Sequence, residues 1–386
     1  MLKRFAVLIL MFLLILCSCK ENISKTQQEK ESKEGYHVGV WISYFEVNEM
    51  LKNGYKDDFL KVIENCKQSK ISDIFLHTIA FCDPIYKSSY HPQNEYAKSL
   101  NFDPLDYSAT ICKQNNIRLH AWINPYRVST ATSDVNELNK ESVAYLWTHD
   151  ENTQNDKNVS LSNGIYLNPA ESDTRCLVIN CVREICENYE IAGIHFDDYF
   201  YPTTEENFDK GSYEEYKLQN ENPLSLAEFR RANVNGLISG AYTAIKFIDK
   251  DLLFSVSPAA SIDKNYNSFY ADVALWAREG CVDMLIPQLY FGFNYEDQNF
   301  RFENLIANWK NITEGTNTKL VIGLASYKIG SDKERDKDFL DADTIPKQVA
   351  LCVENKDIAG HSFYSYSSFM SDNPLNKTAR EKSIIK

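Results

Sequence analysis

The sequence lacks an excess of positive charge. Its 386 residues include 41 Lys and Arg against 54 Asp and Glu, which gives a formal net charge of -13 at pH 7. A surface that binds nucleic acid needs clustered basic side chains, and so does a polybasic contact with an anionic membrane. The composition therefore argues against both partners and suits a neutral substrate, or one that is bound by a local charge.

The cysteines lack the spacing of a metal site. Of the 10 cysteines, none forms a CxxC pair or a Cys/His pair with zinc spacing. We therefore expect no metal and no cofactor. Disulfides are chemically allowed outside the cytoplasm, but the sequence leaves their pairing open. Several cysteines lie in helix-like segments, where a free thiol packs as a small hydrophobic group: Cys112, Cys176, Cys181, Cys186 and Cys352.

A glycine-rich phosphate loop is also missing. The first β-like run is followed by Ser43-Tyr44-Phe45-Glu46, whereas a nucleotide-binding α/β sheet carries glycines at this turn. This absence disfavours a doubly wound sheet that binds a dinucleotide.

One long apolar run is present, Phe5–Leu16, and two basic residues precede it. It is short for a membrane span and is typical of an export signal. The run ends in the letters LCSC, which resemble a lipobox because the small Ser18 directly precedes Cys19. Cys17 fits less well because a leucine precedes it. We predict a lipoprotein signal peptide over residues 1–18 and lipidation of Cys19, with an ordinary secreted protein as the alternative.

Residues 19–35 are almost wholly polar and cannot bury enough apolar surface to fold alone. They are interpreted as a tether between a lipidated cysteine and one catalytic domain over residues 36–386. We expect a membrane-anchored protein of the cell envelope, with the periplasmic or surface face left open. A domain of this length exceeds the usual size of a single core unless the fold is a large barrel.

Eight apolar, β-rich runs alternate with longer amphipathic segments in this domain. Such alternation predicts an α/β fold of parallel strands and right-handed crossovers, and eight repeats close most naturally into a single (β/α)8 TIM barrel. Long βα loops are expected after strands 3 and 4, at 127–172 and 198–224. The predicted strands are His37–Ser43, Ser72–Thr78, Arg118–Asn124, Ala192–Asp197, Leu253–Ser257, Val282–Leu289, Lys319–Gly323 and Gly360–Tyr364. The predicted helices lie near 57–68, 103–115, 173–189, 225–248, 267–279, 299–310 and 344–354.

The fourth predicted strand ends in AGIHFDDYFYP, where two adjacent aspartates precede three aromatic residues. Because side chains alternate along a strand, His195, Asp197 and Tyr199 share one face and Asp198 lies on the other. A small bend at the strand end would aim the second aspartate into the same cavity. A capping or ion-pairing role for the two aspartates is the structural alternative.

The other strands also end in polar and aromatic residues. Polar groups bind sugar hydroxyls, and flat aromatic rings pack on the C–H face of a sugar, so the pattern predicts a glycan cleft at the carboxyl edge of the barrel. The residues predicted to bind substrate are Trp41, His77, Asn124, Tyr126, Arg127, His195, Tyr199, Gln288 and Tyr290.

Several of these expectations leave alternatives. His77 and His195 are equally suited to binding hydroxyls and to hydrogen-bonded core positions. Arg127 would hold a lactyl or other carboxylate, or would pair with Asp197 or Asp198. Packing in the barrel is the alternative for at least two of the aromatic residues. Arg230 and Arg231, in a predicted helix, are expected to face solvent or to bind loop carbonyls.

Motifs spread over about residues 36–370 resemble those of a known family, the glycosyl hydrolase-like 10 lipoproteins. The resemblance implies a TIM-barrel glycosidase, and the best-understood relatives hydrolyse peptidoglycan glycan strands stripped of their peptides. The motifs of the third and fourth strands are the most specific. The matching segments are Gly39-Val40-Trp41, Asp83-Pro84-Ile85-Tyr86, Phe102-Asp103-Pro104-Leu105, His120-Ala121-Trp122-Ile123-Asn124-Pro125-Tyr126-Arg127, Gly193–Pro202, Arg230–Asn235 and Val282–Tyr290.

The chain departs from the family pattern after the second strand. The family usually carries an Arg in a QVRP-like run, and this chain has His77-Thr78-Ile79-Ala80. The departure leaves the exact glycan open and favours, as the alternative function, a lipid-anchored glycan-binding protein without turnover. The paired aspartates favour the enzyme, because a pure binding protein has no reason to hold two like charges together.

Glycoside hydrolysis normally needs one carboxylic acid and one carboxylate. We predict that Asp198 or Asp197 is the general acid, with a pKa raised by burial and by its neighbour. Asp83, just past the second strand, is preferred over Asp263 as the second carboxylate. Asp283 starts a strand and is expected to be structural.

A substrate-assisted route needs no second carboxylate, because the 2-acetamido oxygen of the substrate itself attacks. Gln288 and Tyr290 are suited to steady that group. Both routes stay open at the level of sequence.

Overall fold

Eight parallel strands close into a barrel, and successive barrel strands along the chain are neighbours in space. The computed structural model describes residues 35–384 except 332 and 334, and the chain from Val38 onward forms one compact unit. The predicted (β/α)8 TIM barrel is confirmed. The strands are β1 (His37–Ile42), β2 (Asp73–Ile79), β3 (Arg118–Ile123), β4 (Arg127–Ser129), β5 (Val159–Ser162), β6 (Gly164–Leu167), β7 (Gly193–Phe196), β8 (Leu253–Val256), β9 (Met284–Leu285), β10 (Lys319–Ala325) and β11 (Ile358–Tyr364), of which β4 to β6 lie outside the barrel.

Helices follow the barrel strands and cover their outer face. Their amphipathic sequences bury one side against the strands. The helices are α1 (Tyr44–Asn53), α2 (Tyr55–Gln68), α3 (Glu95–Lys98), α4 (Pro104–Gln114), α5 (Val143–His149), α6 (Ser172–Asn188), α7 (Lys210–Gln219), α8 (Leu226–Ile248), α9 (Ile262–Asn267), α10 (Val273–Glu279), α11 (Phe302–Thr313), α12 (Thr344–Glu354), α13 (Tyr366–Phe369) and α14 (Pro374–Ser383).

Most predicted helices are present with small shifts of their ends, but the one predicted near 267–279 is divided. The backbone of Tyr270 has φ 56°, a left-handed conformation that ends one helix before the next begins. Helix α1 was not predicted, although its capping box is visible in the sequence. There the backbone N–H of Ser43 donates to Glu46 Oε2 at 2.6 Å.

The strand predicted over Val282–Leu289 is much shorter in the structure and covers two residues, Met284–Leu285. Pro287 has no backbone N–H, so it interrupts the regular hydrogen bonding between neighbouring strands. Backbone hydrogen bonding resumes at Gln288, whose N–H donates to Pro258 O at 2.9 Å. This irregular edge sets the position of Gln288 at the carboxyl end of the barrel.

The barrel interior is a packed core. Inward side chains from alternating positions form an aromatic and aliphatic cluster that is separate from the core between strands and helices. Its buried members are Trp41, Phe75, Trp122, Met284, Ile286 and Val321.

The two long connections at the carboxyl edge carry structure of their own. The first, 127–172, contains α5 and a small antiparallel sheet in the order β4-β6-β5. In this sheet Arg127 pairs with Tyr166. The second, 198–224, contains α7. Each loop is therefore held by regular hydrogen bonding.

Charged residues at the amino-terminal edge are structural. Asp283 accepts from the backbone N–H of Phe254 at 2.7 Å and from Lys246 at 2.8 Å, as expected for a residue that starts a strand. Asp73 binds Arg118 at 2.6 Å on the same edge.

None of the helices in the described range is long and apolar enough to cross a membrane. The predicted signal peptide over residues 1–18, the lipidation site Cys19 and the tether up to residue 34 lie outside the described residues.

Candidate active site

A cavity of about 550 Å³ opens at the carboxyl end of the barrel strands. This is the edge at which TIM-barrel enzymes carry their sites. Seven of the residues predicted to form the site line it: Trp41, His77, Arg127, Asp197, Tyr199, Gln288 and Tyr290.

Asp197 lies one residue beyond the end of β7 and is 2% exposed. Its Oδ2 accepts from Trp122 Nε1 at 3.0 Å and from Asn124 Nδ2 at 3.3 Å. Its Oδ1 accepts a long hydrogen bond, 3.4 Å, from the backbone N–H of Tyr199. The carboxyl group is thus fixed in orientation by the ends of two adjacent strands and borders the cavity.

Burial and the nearby charge of Asp198 raise the pKa of Asp197 to about 7. The positive charge of Arg127 and the hydrogen bond from Trp122 act in the opposite direction but do not cancel the effect. The expected elevation of this pKa is therefore present. A carboxyl group with such a pKa holds a proton close to neutral pH.

Asp198 is half-buried and follows Asp197 where the strand has ended. Burial raises its pKa, and a hydrogen bond from Gln288 partly offsets that rise. Its charge also raises the pKa of Tyr290. The described residues that line the cavity include Asp197 but not Asp198, so Asp198 lies next to the cavity while Asp197, held by Trp122, borders it.

His77 stacks on Trp122 with ring centroids 3.8 Å apart and 9° between planes. Its Nδ1 accepts from the backbone N–H of Tyr44 at 3.2 Å, while Nε2 has no hydrogen-bond partner among the described residues. Burial, aided by the charge of Arg127, lowers the pKa of His77 to about 3. The imidazole is therefore neutral and carries its proton on Nε2.

Arg127 follows β3 and begins β4. Its guanidinium carbon lies 3.4 Å from the centre of the Tyr199 ring. Among the described residues, no ion pair joins Arg127 to Asp197 or Asp198, although its charge lowers the pKa of both. The expected direct pairing with the aspartates is thus absent from the described part of the chain.

Aromatic side chains form the opposite wall. Tyr290 stacks on Tyr364 at 5.9 Å and 23°, and Tyr327 contacts Tyr290 edge-on at 5.9 Å. Tyr44 and Phe45, directly after β1, line the cavity as well. Such rings suit the apolar face of a sugar.

Sequence reasoning missed several of these wall residues: Tyr44, Phe45, Phe81 and Tyr327. The signal for Tyr44 and Phe45 was an aromatic pair immediately after the first strand. The signal for Tyr327 was a single aromatic residue two positions beyond the end of β10.

His195 does not reach the cavity, contrary to the expectation that it binds sugar hydroxyls. It is fully buried inside the barrel, where Nε2 accepts from Trp41 Nε1 at 3.0 Å and Nδ1 lies 2.8 Å from Ser255 Oγ. Because Nε2 accepts, the proton lies on Nδ1 and is donated to the serine. Burial lowers its pKa well below the usual value, so His195 is a neutral core residue.

Tyr126 and Asn124 also differ from their predicted roles. Tyr126 is fully buried in the core between strands and helices, away from the cavity. Asn124 is 2% exposed and bridges two site residues. Its Nδ2 donates to Asp197, and its Oδ1 accepts from the backbone N–H of Arg127 at 3.2 Å. Asn124 therefore positions the site without facing it.

Asp83, which the sequence favoured as the second carboxylate, forms hydrogen bonds within its own loop. Its Oδ1 accepts from the backbone N–H of Phe81 at 2.8 Å, and its Oδ2 accepts from Asn94 Nδ2 at 3.0 Å. It does not contribute to the cavity lining. Asp263 is exposed on α9. Asp83 therefore holds the loop that carries Phe81, and the carboxyl group adjacent to Asp197 is that of Asp198.

The buried Arg230 fastens the long loop after β7. It forms an ion pair with Asp209 at 2.6 Å and donates to the carbonyl oxygens of Thr204 at 3.2 Å and Glu205 at 2.7 Å. The expectation that this arginine binds loop carbonyls is confirmed. Arg231 on the same helix is half-buried, with its guanidinium 4.1 Å from the centre of the Tyr266 ring.

Metal-ligating side chains do not gather in groups of three or more anywhere in the described ranges. The described lining of the cavity supplies the carboxyl group of Asp197, an arginine, neutral polar groups and aromatic rings.

Comparisons with known proteins identify the family and the fold. A sequence profile of the family described as glycosyl hydrolase-like 10 matches residues 38–341. Glycosyl hydrolase YngK of Bacillus subtilis (strain 168) is 26% identical over 366 residues, which cover 87% of this chain and 69% of the relative. Glycosyl hydrolase DigH of Escherichia coli (strain K12) is 29% identical over 285 residues, which cover 67% of this chain and 62% of the relative. The chain thus spans about two thirds of the length of these relatives.

Solved structures share the barrel at low sequence identity. The glycoside hydrolase domain of PgaB (BpsB) from Bordetella bronchiseptica has a TM-score of 0.59 at 12% identity and covers 91% of this chain and 99% of that one. An endo-1,4-beta-mannanase from Rhizomucor miehei has a TM-score of 0.56 at 14% identity, with 90% and 94% covered. At these identities the likeness shows the fold alone.

Proposed function

The chain belongs to the glycosyl hydrolase-like 10 family, and on this basis we propose that it is a glycosidase of the cell envelope that cleaves peptide-free peptidoglycan strands. One observation carries the proposal. Asp197, at the end of the fourth barrel strand, borders a cavity of about 550 Å³, and burial raises its pKa to about 7. A general acid for glycosidic oxygen needs such a pKa.

In the proposed reaction Asp197 donates its proton to the leaving oxygen as the glycosidic bond breaks. The hydrogen bonds from Trp122 and Asn124 to Oδ2 leave Oδ1, which accepts only a long hydrogen bond from Tyr199, to carry the proton. After the leaving group departs, the ionised carboxylate takes a proton from the attacking water.

Asp198 takes the second role in this proposal. A substrate-assisted route fits its position, because the 2-acetamido oxygen attacks the anomeric carbon and a nearby carboxylate steadies the amide N–H. Gln288 and Tyr290 line the cavity, and the charge of Asp198 is among the causes that raise the pKa of Tyr290, after burial. In the proposed route Gln288 and Tyr290 would contact the acetamido group.

The aromatic walls and the family resemblance support a polysaccharide substrate. Tyr199, Tyr290, Tyr327 and Tyr364 line the cavity and offer apolar ring faces next to hydroxyl groups. The cavity volume of about 550 Å³ suits a short run of sugar units.

The test uses the full-length chain, purified in detergent and incubated with peptide-free peptidoglycan strands and a panel of neutral polysaccharides. Released oligosaccharides are identified by mass. Wild type should release products, and Asp197→Asn and Asp198→Asn should each lower the rate by about 10²–10⁴ without loss of folding. Asp263→Asn, at an exposed carboxylate, is the matched control and should keep full activity.

Two outcomes would count against the proposal. Unchanged rates in both active-site variants would exclude the aspartates as catalytic groups. Binding of glycan by all forms without any product would favour the alternative, a glycan-binding protein that keeps the cleft.

We further propose that Cys19 is lipidated and that the acyl chains anchor the protein in the cell envelope. The sequence before Cys19 supports this, and multiple acyl chains are needed for stable anchoring. Cys19→Ser should move the protein from the membrane fraction to the soluble fraction, whereas Cys17→Ser should leave it in the membrane. Equal behaviour of both variants would contradict the assignment.

A further inference from the structure

Among the described residues that line the cavity, Arg127 is the only lysine or arginine. It is half-buried, with its guanidinium 3.4 Å from the centre of the Tyr199 ring and 5.9 Å from that of Phe81. Within the described ranges no carboxylate forms an ion pair with it, while other buried arginine positions are paired, as Arg230 is with Asp209. Arg127 therefore differs from the structural arginine of the same fold.

Stacking leaves the binding edge of a guanidinium available. A planar guanidinium that lies over an aromatic face keeps its N–H groups directed sideways, where they match the two oxygens of a carboxylate. The backbone of Arg127 is fixed independently of its side chain, through the hydrogen bond to Asn124 and the pairing of β4 with β6. The side chain is thus presented from a rigid support.

The charges around the cavity permit a substrate carboxylate on this side. The overall charge of -13 repels anions at long range, so any selectivity for an acidic sugar must come from a short-range contact. Asp197 is largely protonated below pH 7, because burial raises its pKa to about 7. The opposite wall contains Tyr290, Tyr327 and Tyr364, and no described lysine or arginine of this wall lines the cavity. Lys328 lies behind the lining, 5.9 Å from the centre of the Tyr327 ring.

We propose that Arg127 binds the carboxylate of an acidic sugar beside the scissile bond and makes the enzyme selective for a glycan that carries carboxylates. The sugar against the tyrosine wall is then neutral, so the cleaved bond joins an acidic unit to a neutral one. This inference rests on the proposed function and adds a substrate feature and a specificity-determining residue to it.

The test measures binding, so that it does not depend on turnover. The full-length chain with Asp197→Asn is titrated calorimetrically, at about pH 6, with oligosaccharides from peptide-free peptidoglycan strands. The same oligosaccharides, with their lactyl carboxylates converted to neutral methylamides, serve as the matched ligand. Arg127→Gln is added in the same background, and Arg231→Gln, at a half-buried arginine outside the cavity, is the control.

Conversion of the ligand's lactyl carboxylates to methylamides should weaken binding at least tenfold, because a charge-assisted bidentate contact is removed. Arg127→Gln should weaken binding of the acidic ligand by the same factor and leave binding of the amidated ligand unchanged. Arg231→Gln should change neither.

A merely electrostatic role for Arg127 would look different. If the residue only tunes the two aspartates, Arg127→Gln would weaken binding of both ligands equally, which would overturn the inference. If neither the acidic nor the amidated ligand binds, the inference is overturned as well. If the wild-type chain instead binds the acidic ligand through Arg127 but releases no product, the proposed function fails and the carboxylate site stands.

Discussion

Asp197 is a carboxyl group for which ionisation is costly, and its neighbours explain why. It is almost fully buried, and the adjacent Asp198 adds a like charge. Trp122 and Asn124 donate hydrogen bonds that limit the cost and also set the orientation of the group. A residue in this environment is suited to move a proton near neutral pH.

The pH dependence of hydrolysis should reflect this residue. The general acid must be protonated, so the rate should fall about tenfold per pH unit above about 7, the pKa to which burial raises Asp197. Burial also raises the pKa of Asp198, so the acidic limb should lie above the usual range of an aspartate. A rate profile from pH 4 to pH 9 tests this, and a constant rate up to pH 9 would contradict the role of Asp197.

The raised pKa of Asp197 should also make the free energy of unfolding depend on pH. Asp197 keeps its proton up to about pH 7 in the folded state but loses it near pH 4 when unfolded. The folded state then binds more protons in this window, so this residue lowers the free energy of unfolding as pH rises from about 4 to 7. Asp197→Asn should be more stable than wild type by about 1–4 kcal/mol at pH 8, with a smaller difference at pH 4. Urea unfolding at the two pH values measures it.

At the scale of elements, the cavity walls depend on loops that are tied to the barrel by few residues. The sheet of β4 to β6 holds the backbone of Arg127, and Arg230 on α8 holds the loop that follows the two aspartates. The second contact is fully buried and includes an ion pair with Asp209. Removal of the Arg230 side chain would leave the charge of Asp209 buried without a partner.

Arg230→Ala should therefore lower the free energy of unfolding by about 3–5 kcal/mol and also reduce activity, because the loop carries Asp198 and Tyr199. Arg231→Ala, next to it, removes a half-buried side chain that packs on Tyr266 without an ion pair to a described carboxylate, and should lower the free energy of unfolding by no more than about 1 kcal/mol. Thermal and urea unfolding compare the two. The double variant Arg230→Met with Asp209→Leu should recover part of the loss, since no charge then stays unpaired. Equal effects of the two alanine variants would contradict the anchoring role.

For the whole molecule, closure of the barrel requires close approach of strands β7 and β8. Gly193 starts β7, and a Cβ atom there would lie 2.2 Å from the carbonyl oxygen of Leu253 and 3.0 Å from His120 Nδ1. Backbone atoms cannot yield as a flexible side chain does. The strand that carries the aspartates is therefore held in register by the absence of a side chain.

Gly193→Ala should destabilise the fold by at least about 2–3 kcal/mol. Gly211→Ala is the matched control, because no atom lies within 4 Å of the added methyl group in α7, and alanine should stabilise that helix by about 0.5–1 kcal/mol. Soluble yield and thermal unfolding of the two variants give the comparison. A stable Gly193→Ala variant would show that the barrel tolerates wider strand spacing.

Much of the fold could be predicted because its signals are local. Eight apolar runs separated by amphipathic segments indicated the barrel, and their positions agree with the strands except at Val282–Leu289, where Pro287 interrupts the ladder. Helix α1 was missed although Ser43 and Glu46 form a recognisable capping box. The division of the helix near Tyr270 depends on a left-handed residue, which side-chain periodicity does not reveal.

The sequence by itself determined the (β/α)8 barrel, the family and the concentration of polar and aromatic residues at strand ends, because these depend on periodicity and on motifs of adjacent residues. Only the tertiary structure decided which of those residues meet. His195 points inward with Asp197 but lies one layer deeper in the barrel, Asp83 turns to its own loop, and Tyr327 joins the cavity from a distant strand. Depth and neighbourhood in a barrel follow from the stagger and closure of all eight strands, and no local stretch of sequence contains that information.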